Sequence, residues 1–184
     1  LRPGLPFDEA RLAKLLGRDA LQDAVDRALH FLETRPRSER EVRTRLTQAG
    51  VSPELLDKVV ERLNGLGLID DAAFARYWID NRERFSPRGT RMIKAELFQK
   101  GLKSEVIAEQ IEGAIDEEAG ARGIALRQAP RWAKLDRNLF RQKMWSLLSR
   151  KGFGYDVIQP VVEEAWLAVA ADPGDDDEDG ERES

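Results

Sequence analysis

The sequence predicts an all-α fold built as three tandem three-helix repeats in an elongated array. Gly50, Gly101 and Gly152 lie 51 residues apart, and the apolar residues around them recur. Val42, Ile93 and Met144 stand eight positions before the glycines, Leu46, Leu97 and Leu148 four before, and Val51, Leu102 and Phe153 directly after. The match continues through Leu55/Val106/Val157, Leu56/Ile107/Ile158, Val60/Ile111/Val162 and Glu61/Glu112/Glu163. Two successive equal offsets mean one supersecondary unit used three times, and units that stack on their neighbours share a long surface. No alternating strand pattern competes with this reading.

The elements follow in order. Residues 1–21, with Pro3, Gly4 and Pro6 ahead of a short amphipathic run, read as an N-terminal arm. Repeat 1 (22–69) opens with a helix over about 22–34, whose Val25, Leu29 and Leu32 share a face. In its middle helix, residues eight and four before the glycine stack on one side, because i and i+4 are neighbours. A glycine after the last turn suits the left-handed C′ position, with the next residue folding back on C3, here Val51 on Leu46. Ser52 and Pro53 then supply an N-cap and an N1 proline for a third helix.

Repeat 2 (70–115) begins with a helix over about 72–84 carrying Phe74, Ala75, Trp78 and Ile79. Repeat 3 (116–171) begins with one over about 117–129 carrying Ala121, Ile124, Ala125 and Leu126. Ser104 and Asp156 are the expected caps of the later third helices. The connections to the middle helices, 34–38, 85–90 and 130–138, differ in length and are rich in arginine, lysine and proline. Variable loops on a repeat scaffold are where binding residues concentrate. Residues 172–184 are polar, acidic and glycine-containing, and are expected to be a disordered tail.

Composition narrows the function classes. The chain has 184 residues, 41% hydrophobic and 35% charged, which suits thin cores rather than one large globule. It has no cysteine, so neither disulfides nor a thiolate zinc site are available. No apolar run reaches the roughly 18–20 residues that span a bilayer, and no signal-peptide core opens the chain, so a cytoplasmic protein without membrane contact is expected. The sequence starts at Leu1 rather than methionine, so a different natural N-terminus is expected. The formal net charge is −4, but eight acids against Arg182 alone give the tail −7 and leave +3 on the body. Arg82 to Lys103 holds seven basic residues and two acidic ones, and Arg127 to Lys151 eight and one. Acids gather instead after the glycine turns, at Glu105, Glu109, Glu112, Glu163 and Glu164.

No enzyme is expected. His30 is the only histidine, which excludes histidine triads and multi-histidine metal centres. Phosphate-loop, dinucleotide and nucleophile-elbow motifs are absent, and no cofactor or metal is called for. Asp70 and Asp71 could hold a hard cation, but with no partner carboxylate nearby they read as helix caps at a unit boundary.

The arginines carry the sharper hypothesis. Arg35, Arg37, Arg40 and Arg43 open the first middle helix, and Arg88, Arg91 and Lys94 align with the last three at the 51-residue offset. The third unit breaks that register with Leu139, Gln142 and Trp145, yet supplies Arg131, Lys134, Arg137, Arg141 and Lys143 nearby. Guanidinium forks at helix starts suit phosphate oxygens or acidic protein; a solvated basic face with ion pairs along the helix is the competing account. Trp78 and Trp166 fall on apolar faces and are expected in the core. Trp132, between Arg131 and Lys134, is the candidate for stacking on a base.

These residues resemble the RecX family, bacterial regulators of the RecA recombinase. The resemblance spans about residues 22–164. It rests on Ala28-Leu29-His30-Phe31-Leu32, on Arg35-Pro36-Arg37-Ser38-Glu39, and on Gly67-Leu68-Ile69-Asp70-Asp71-Ala72-Ala73-Phe74-Ala75. It continues with Gly89, Glu96-Leu97, Lys100-Gly101-Leu102 and Arg150-Lys151-Gly152-Phe153. The resemblance implies a curved, non-enzymatic, monomeric molecule that lodges in the groove of the RecA nucleoprotein filament and restrains its ATPase, strand-exchange and coprotease activities. It also implies binding to single- and double-stranded DNA, and a place in DNA repair, recombination and the SOS response. The acidic tail and the 130–138 loop depart from the usual pattern. A stand-alone DNA-binding protein of helix–turn–helix-like units is the alternative reading, and a plain interaction scaffold a third.

Overall fold

The computed structural model describes residues 9–171, with side chains from residue 17 onward. Among these residues every regular element is a helix. The order is α1 (Glu9–Leu32), α2 (Glu39–Gln48), α3 (Pro53–Gly65), α4 (Asp71–Phe85), α5 (Thr90–Gln99), α6 (Ser104–Ile111), α7 (Glu117–Gln128), α8 (Arg137–Arg150) and α9 (Tyr155–Ala171), with a short 3-10 turn at Ala129–Trp132. Three tandem three-helix units result. The acidic tail 172–184 and residues 1–8 lie outside the described residues. Much of the expected arm is helical, since α1 starts at Glu9 rather than near residue 22.

The chain divides into two compact bodies, and the division runs through the second repeat. One body holds the residues up to Tyr77 with Leu97–Ile107, and the other holds Trp78–Glu96 with the residues from Ala108 onward. In the first, Ala24, Val25 and Ala28 of α1 meet Val42 and Leu46 of α2 and Leu56, Val59, Val60 and Leu63 of α3. The spacings i, i+3, i+4 and i+7 along α3 form one apolar stripe. In the second, Ile124 and Ala125 of α7, Phe140, Met144 and Leu148 of α8, and Val157, Ile158, Val161, Val162 and Ala165 of α9 form the core. Trp166 meets the Phe140 ring edge-on, with centroids 5.2 Å apart. The second repeat buries Phe74, Ala75, Ile79, Ile93, Leu97, Ile107 and Ile111 on its three helices and Leu102 in the turn between the last two.

Gly50, Gly101 and Gly152, the 51-residue ruler of the repeat, all have positive φ, +81° at the first and +90° at the other two. The amides of Val51, Leu102 and Phe153 donate back to the carbonyls of Leu46, Leu97 and Leu148, so each turn closes as a Schellman-type cap. The glycine at the first turn stands in open space, but the other two do not. A Cβ at Gly101 would sit 2.8 Å from the Arg40 Cβ, and one at Gly152 would sit 2.6 Å from the Met92 Cβ. Two of the three glycines are therefore required twice, for their φ and for the close approach of the preceding repeat's middle helix.

The cap positions also correct the sequence reading. Ile107 donates to Lys103 O and Ile158 to Gly154 O, so Lys103 and Gly154, not Ser104 and Asp156, stand at N-cap. Both keep strict 51-residue register with Ser52, which precedes the N1 proline of α3. Asp70 caps α4 through the Ala73 amide at 2.9 Å, and Asp116 and Asp136 cap α7 and α8. Asp71 has another partner: its Oδ1 lies 3.4 Å from the amide of Glu39, the first residue of α2. Glu117 repeats this at the next unit, accepting from the Thr90 amide at 2.7 Å.

Candidate functional site

The first two middle helices each meet the glycine turn of the following repeat, and the two junctions are built alike. At the first, the Ser38 hydroxyl donates to Lys100 O at 2.8 Å. At the second, the Gly89 amide donates to Lys151 O at 3.0 Å. Ser38 and Gly89, like Lys100 and Lys151, are 51 residues apart. Phe140 holds the same register position in the third repeat, where it is buried in that repeat's own core.

A groove runs beside each junction. The first, about 390 Å³, is lined by Arg40, Glu41, Thr44, Arg45, Gln48 and Lys100, with Phe31 and Gln99. The second, about 590 Å³, is lined by Thr90, Arg91, Lys94, Ser149, Gly152 and Tyr155, with Glu117 and Phe153–Gly154. Arg40 and Arg91 are equivalent positions, both exposed, and no carboxylate among the described residues pairs with either.

The remaining sequence-selected residues separate into engaged and open ones. Arg35 forks onto Glu41, at 3.0 and 3.2 Å, and lies over the Phe74 and Tyr77 rings. Arg37 donates to Phe31 O and Thr34 Oγ1 and lies 4.0 Å from the Phe31 ring centroid. Burial and the neighbouring Arg35 lower its pKa from the ordinary value. Arg43 is held by Glu39 and Asp57, each at 2.7 Å, and those two hydrogen bonds raise its pKa. Arg88 lies 4.0 Å from Glu96, whose other oxygen already accepts from Trp78 Nε1 and Arg82 Nε. Arg137 pairs with Glu163, and Arg141 reaches the same carboxylate at 3.8 Å. Lys94, Arg131 and Lys134 are exposed, and no ion pair within the described residues engages them. Trp132 is half-buried against the third core with Lys143 over its ring.

The charge segregation seen along the sequence is therefore partly undone in space. Asp57, Glu96, Glu163 and Glu164, distant in sequence, come back onto Arg43, Arg82, Arg137 and Arg122. His30 is exposed beside Glu33 at 3.1 Å and faces no catalytic partner. The 130–138 connection is not all loop either: it contains the 3-10 turn, and Arg137 and Asn138 already belong to α8.

Sequence reasoning missed Glu41. Its carboxylate lies between Arg35 and Lys100, accepting from the lysine at 2.8 Å, and ties the first two repeats together. Burial pushes its pKa up, but the hydrogen bonds from Arg35 and Lys100 outweigh burial and hold it below the ordinary value of 4.5. The signal for it was available: Lys100 recurs as Lys151, whereas the register partner of Glu41 is Met92.

Comparison with known proteins agrees with this architecture unit by unit. The family models for the first, second and third three-helix domains of RecX match residues 24–63, 70–109 and 116–162. The chain belongs to the RecX family. The regulatory protein RecX of Chlorobium phaeobacteroides is 35% identical over 78% of this chain and 93% of its own length. The RecX protein of Geobacillus thermodenitrificans is 32% identical over 100% of this chain, which spans only 66% of that longer relative. Crystalline RecX from Lactobacillus salivarius superposes with a TM-score of 0.71 over 82% of this chain and 99% of the other, at 23% identity, a likeness of fold. No helix among the described residues is long and apolar enough to cross a membrane.

Proposed function

We propose that this RecX-family chain is a negative regulator of RecA: a monomeric, cytoplasmic, non-enzymatic protein that lodges in the groove of the RecA–DNA filament and restrains its ATPase, strand-exchange and coprotease activities. The observation that carries the reading is the recurrence of one arrangement at two junctions. Beside each glycine turn stands an exposed arginine that no carboxylate neutralises, Arg40 at the first and Arg91, with Lys94, at the second. A filament presents successive identical protomers, and repeated basic grooves match a repeated acidic or phosphate-bearing surface. Arg131 and Lys134 add open positive charge in the third repeat. Arg37, Arg43, Arg137 and Arg141 serve chiefly to hold their own repeats, and Arg35 to hold the junction of the first two.

The test is the DNA-dependent ATPase of RecA with this protein in stoichiometric excess. Wild type is expected to suppress turnover, and the double variant R91E/K94E to lose most of that suppression while keeping its helicity. R43E, which breaks an internal ion pair, should act through stability instead. An ATPase unchanged by the wild-type protein overturns the reading.

Stand-alone DNA binding is favoured by one feature, the exposed basic residues near the starts of α2 and α5. Salt separates the two. Phosphate-driven binding weakens on a log–log plot with a slope of about −0.9 per phosphate contacted, whereas binding to the protein groove of a filament has a flatter dependence.

A further inference from the structure

The two junctions differ in one respect that bears on ligand binding. At the first, Glu41 neutralises Arg35 and Lys100. At the second, register places Met92 where Glu41 stands and Ser86 where Arg35 stands, while the lysine is kept as Lys151. Arg88 and Arg127 are close enough to Lys151 to act on it electrostatically. Burial, then Arg88 and then Arg127, lower the Lys151 pKa. Neither Lys151 nor Arg127 pairs with a carboxylate among the described residues. The Arg88 Nε is buried with no hydrogen-bond acceptor, 4.0 Å from a carboxylate already held by Arg82 and Trp78.

Arg88 and Arg127 also line a cleft of about 410 Å³, together with Arg84, Gly120, Gly123 and Phe85. Two acids also line it, each accepting a backbone amide: Glu83 from Asp116 and the Asp116 side chain from Ala119. Phe85, 78% exposed at this cleft, is the most exposed large hydrophobic side chain among the described residues.

We propose that this cleft binds one nucleotide unit of a single-stranded nucleic acid, with the base stacked on Phe85 and the phosphate received by Arg88 and Arg127. Arg127 has no ion pair among the described residues and Arg88 only a long one to Glu96, so both guanidinium groups can take an external anion, and they suit phosphate oxygens. An exposed ring beside them adds what a bare anion or an acidic peptide would not use: a flat surface for a base, the combination that single-strand binders employ. In a duplex the bases are stacked on one another and out of reach of Phe85. The inference deepens the second, DNA-binding reading given above and rests on it; filament regulation is separable.

The experiment measures binding of a fluorescein-labelled oligothymidylate and of an abasic deoxyribose-phosphate strand of equal length, without RecA, at low salt. Phe85→Ala should weaken the thymidylate roughly 5- to 100-fold, the range for losing one base stack, and leave the abasic strand unchanged. Phe85→Trp should retain or tighten thymidylate binding. Arg127→Ala should weaken both strands. Thermal melts identify any variant that has unfolded, and the Trp variant then decides. Equal thymidylate affinity in wild type and Phe85→Ala overturns the site, as does a wild type that binds the abasic strand equally well. RecA ATPase suppression is measured in parallel: if it persists while oligonucleotide binding ignores these substitutions, the cleft is wrong and the filament reading stands.

Discussion

At the scale of single residues, the ruler glycines are not equivalent, and the difference is testable. All three hold positive φ, which costs a residue with a Cβ about 1–2 kcal/mol. Gly50 faces open space, whereas Gly101 and Gly152 abut Arg40 and Met92 of the preceding repeat. Overpacking adds roughly 1–3 kcal/mol. Gly50→Ala is therefore expected to cost about 1–2 kcal/mol, and Gly101→Ala and Gly152→Ala about 2–5 kcal/mol, read from urea midpoints at constant m. Equal losses at all three would show that the contact with the neighbouring repeat is dispensable. The sequence identified these residues as helix caps, which they are. It could not show the second requirement, because what touches Gly101 lies 61 residues away at Arg40.

At the scale of elements, the junction is the part of the molecule most worth perturbing. Glu41 has a side chain only 14% exposed and satisfies two cations, so Glu41→Gln leaves both half-buried charges short of a partner. At neutral pH this should cost about 1–3 kcal/mol. The pH dependence has a definite sign. A carboxyl whose folded pKa is depressed stabilises the fold above its unfolded pKa and loses that contribution as pH falls through the folded value. Wild type should therefore lose stability relative to Glu41→Gln as pH drops below about 4.5, with the two melting curves converging. A gap between the variants that stays constant through that range would refute the ion-pair account.

The same elements show why parts of the fold were hidden in the sequence. Offsets of 51 residues captured the middle helices, their turns and the starts of the third helices. The opening helices follow a second period of 46 residues, visible in Gly67 and Gly113, both with positive φ, and in Asp71 and Glu117, which both reach back to a middle helix. The two periods differ because α3 has 13 residues and α6 has 8. For the candidate site the limit was different. Arg40, Arg91 and Lys94 came from register alone, but which arginines stay open depends on acids such as Asp57 and Glu163 that only folding brings to them.

At the scale of the whole molecule, charge is the property that local geometry does not settle. The body carries +3 and residues 172–184 carry −7, so the net −4 disguises a cationic protein tethered to its own polyanion. An acidic segment of that charge is expected to compete with any phosphate ligand for open cations such as Arg40, Arg91, Lys94 and Arg127 of the Phe85 cleft. Removing residues 172–184 is expected to tighten oligonucleotide binding several-fold at low salt. The gain should shrink as ionic strength rises to about 0.15 M, where the Debye length is about 8 Å and exposed charges are screened. That salt dependence separates competition from a change in the site, since a remodelled site would keep its advantage at high salt. Affinity unchanged at every salt concentration would make the tail a solubilising segment only. Affinity tightened equally at all of them would place its effect on the fold rather than on charge.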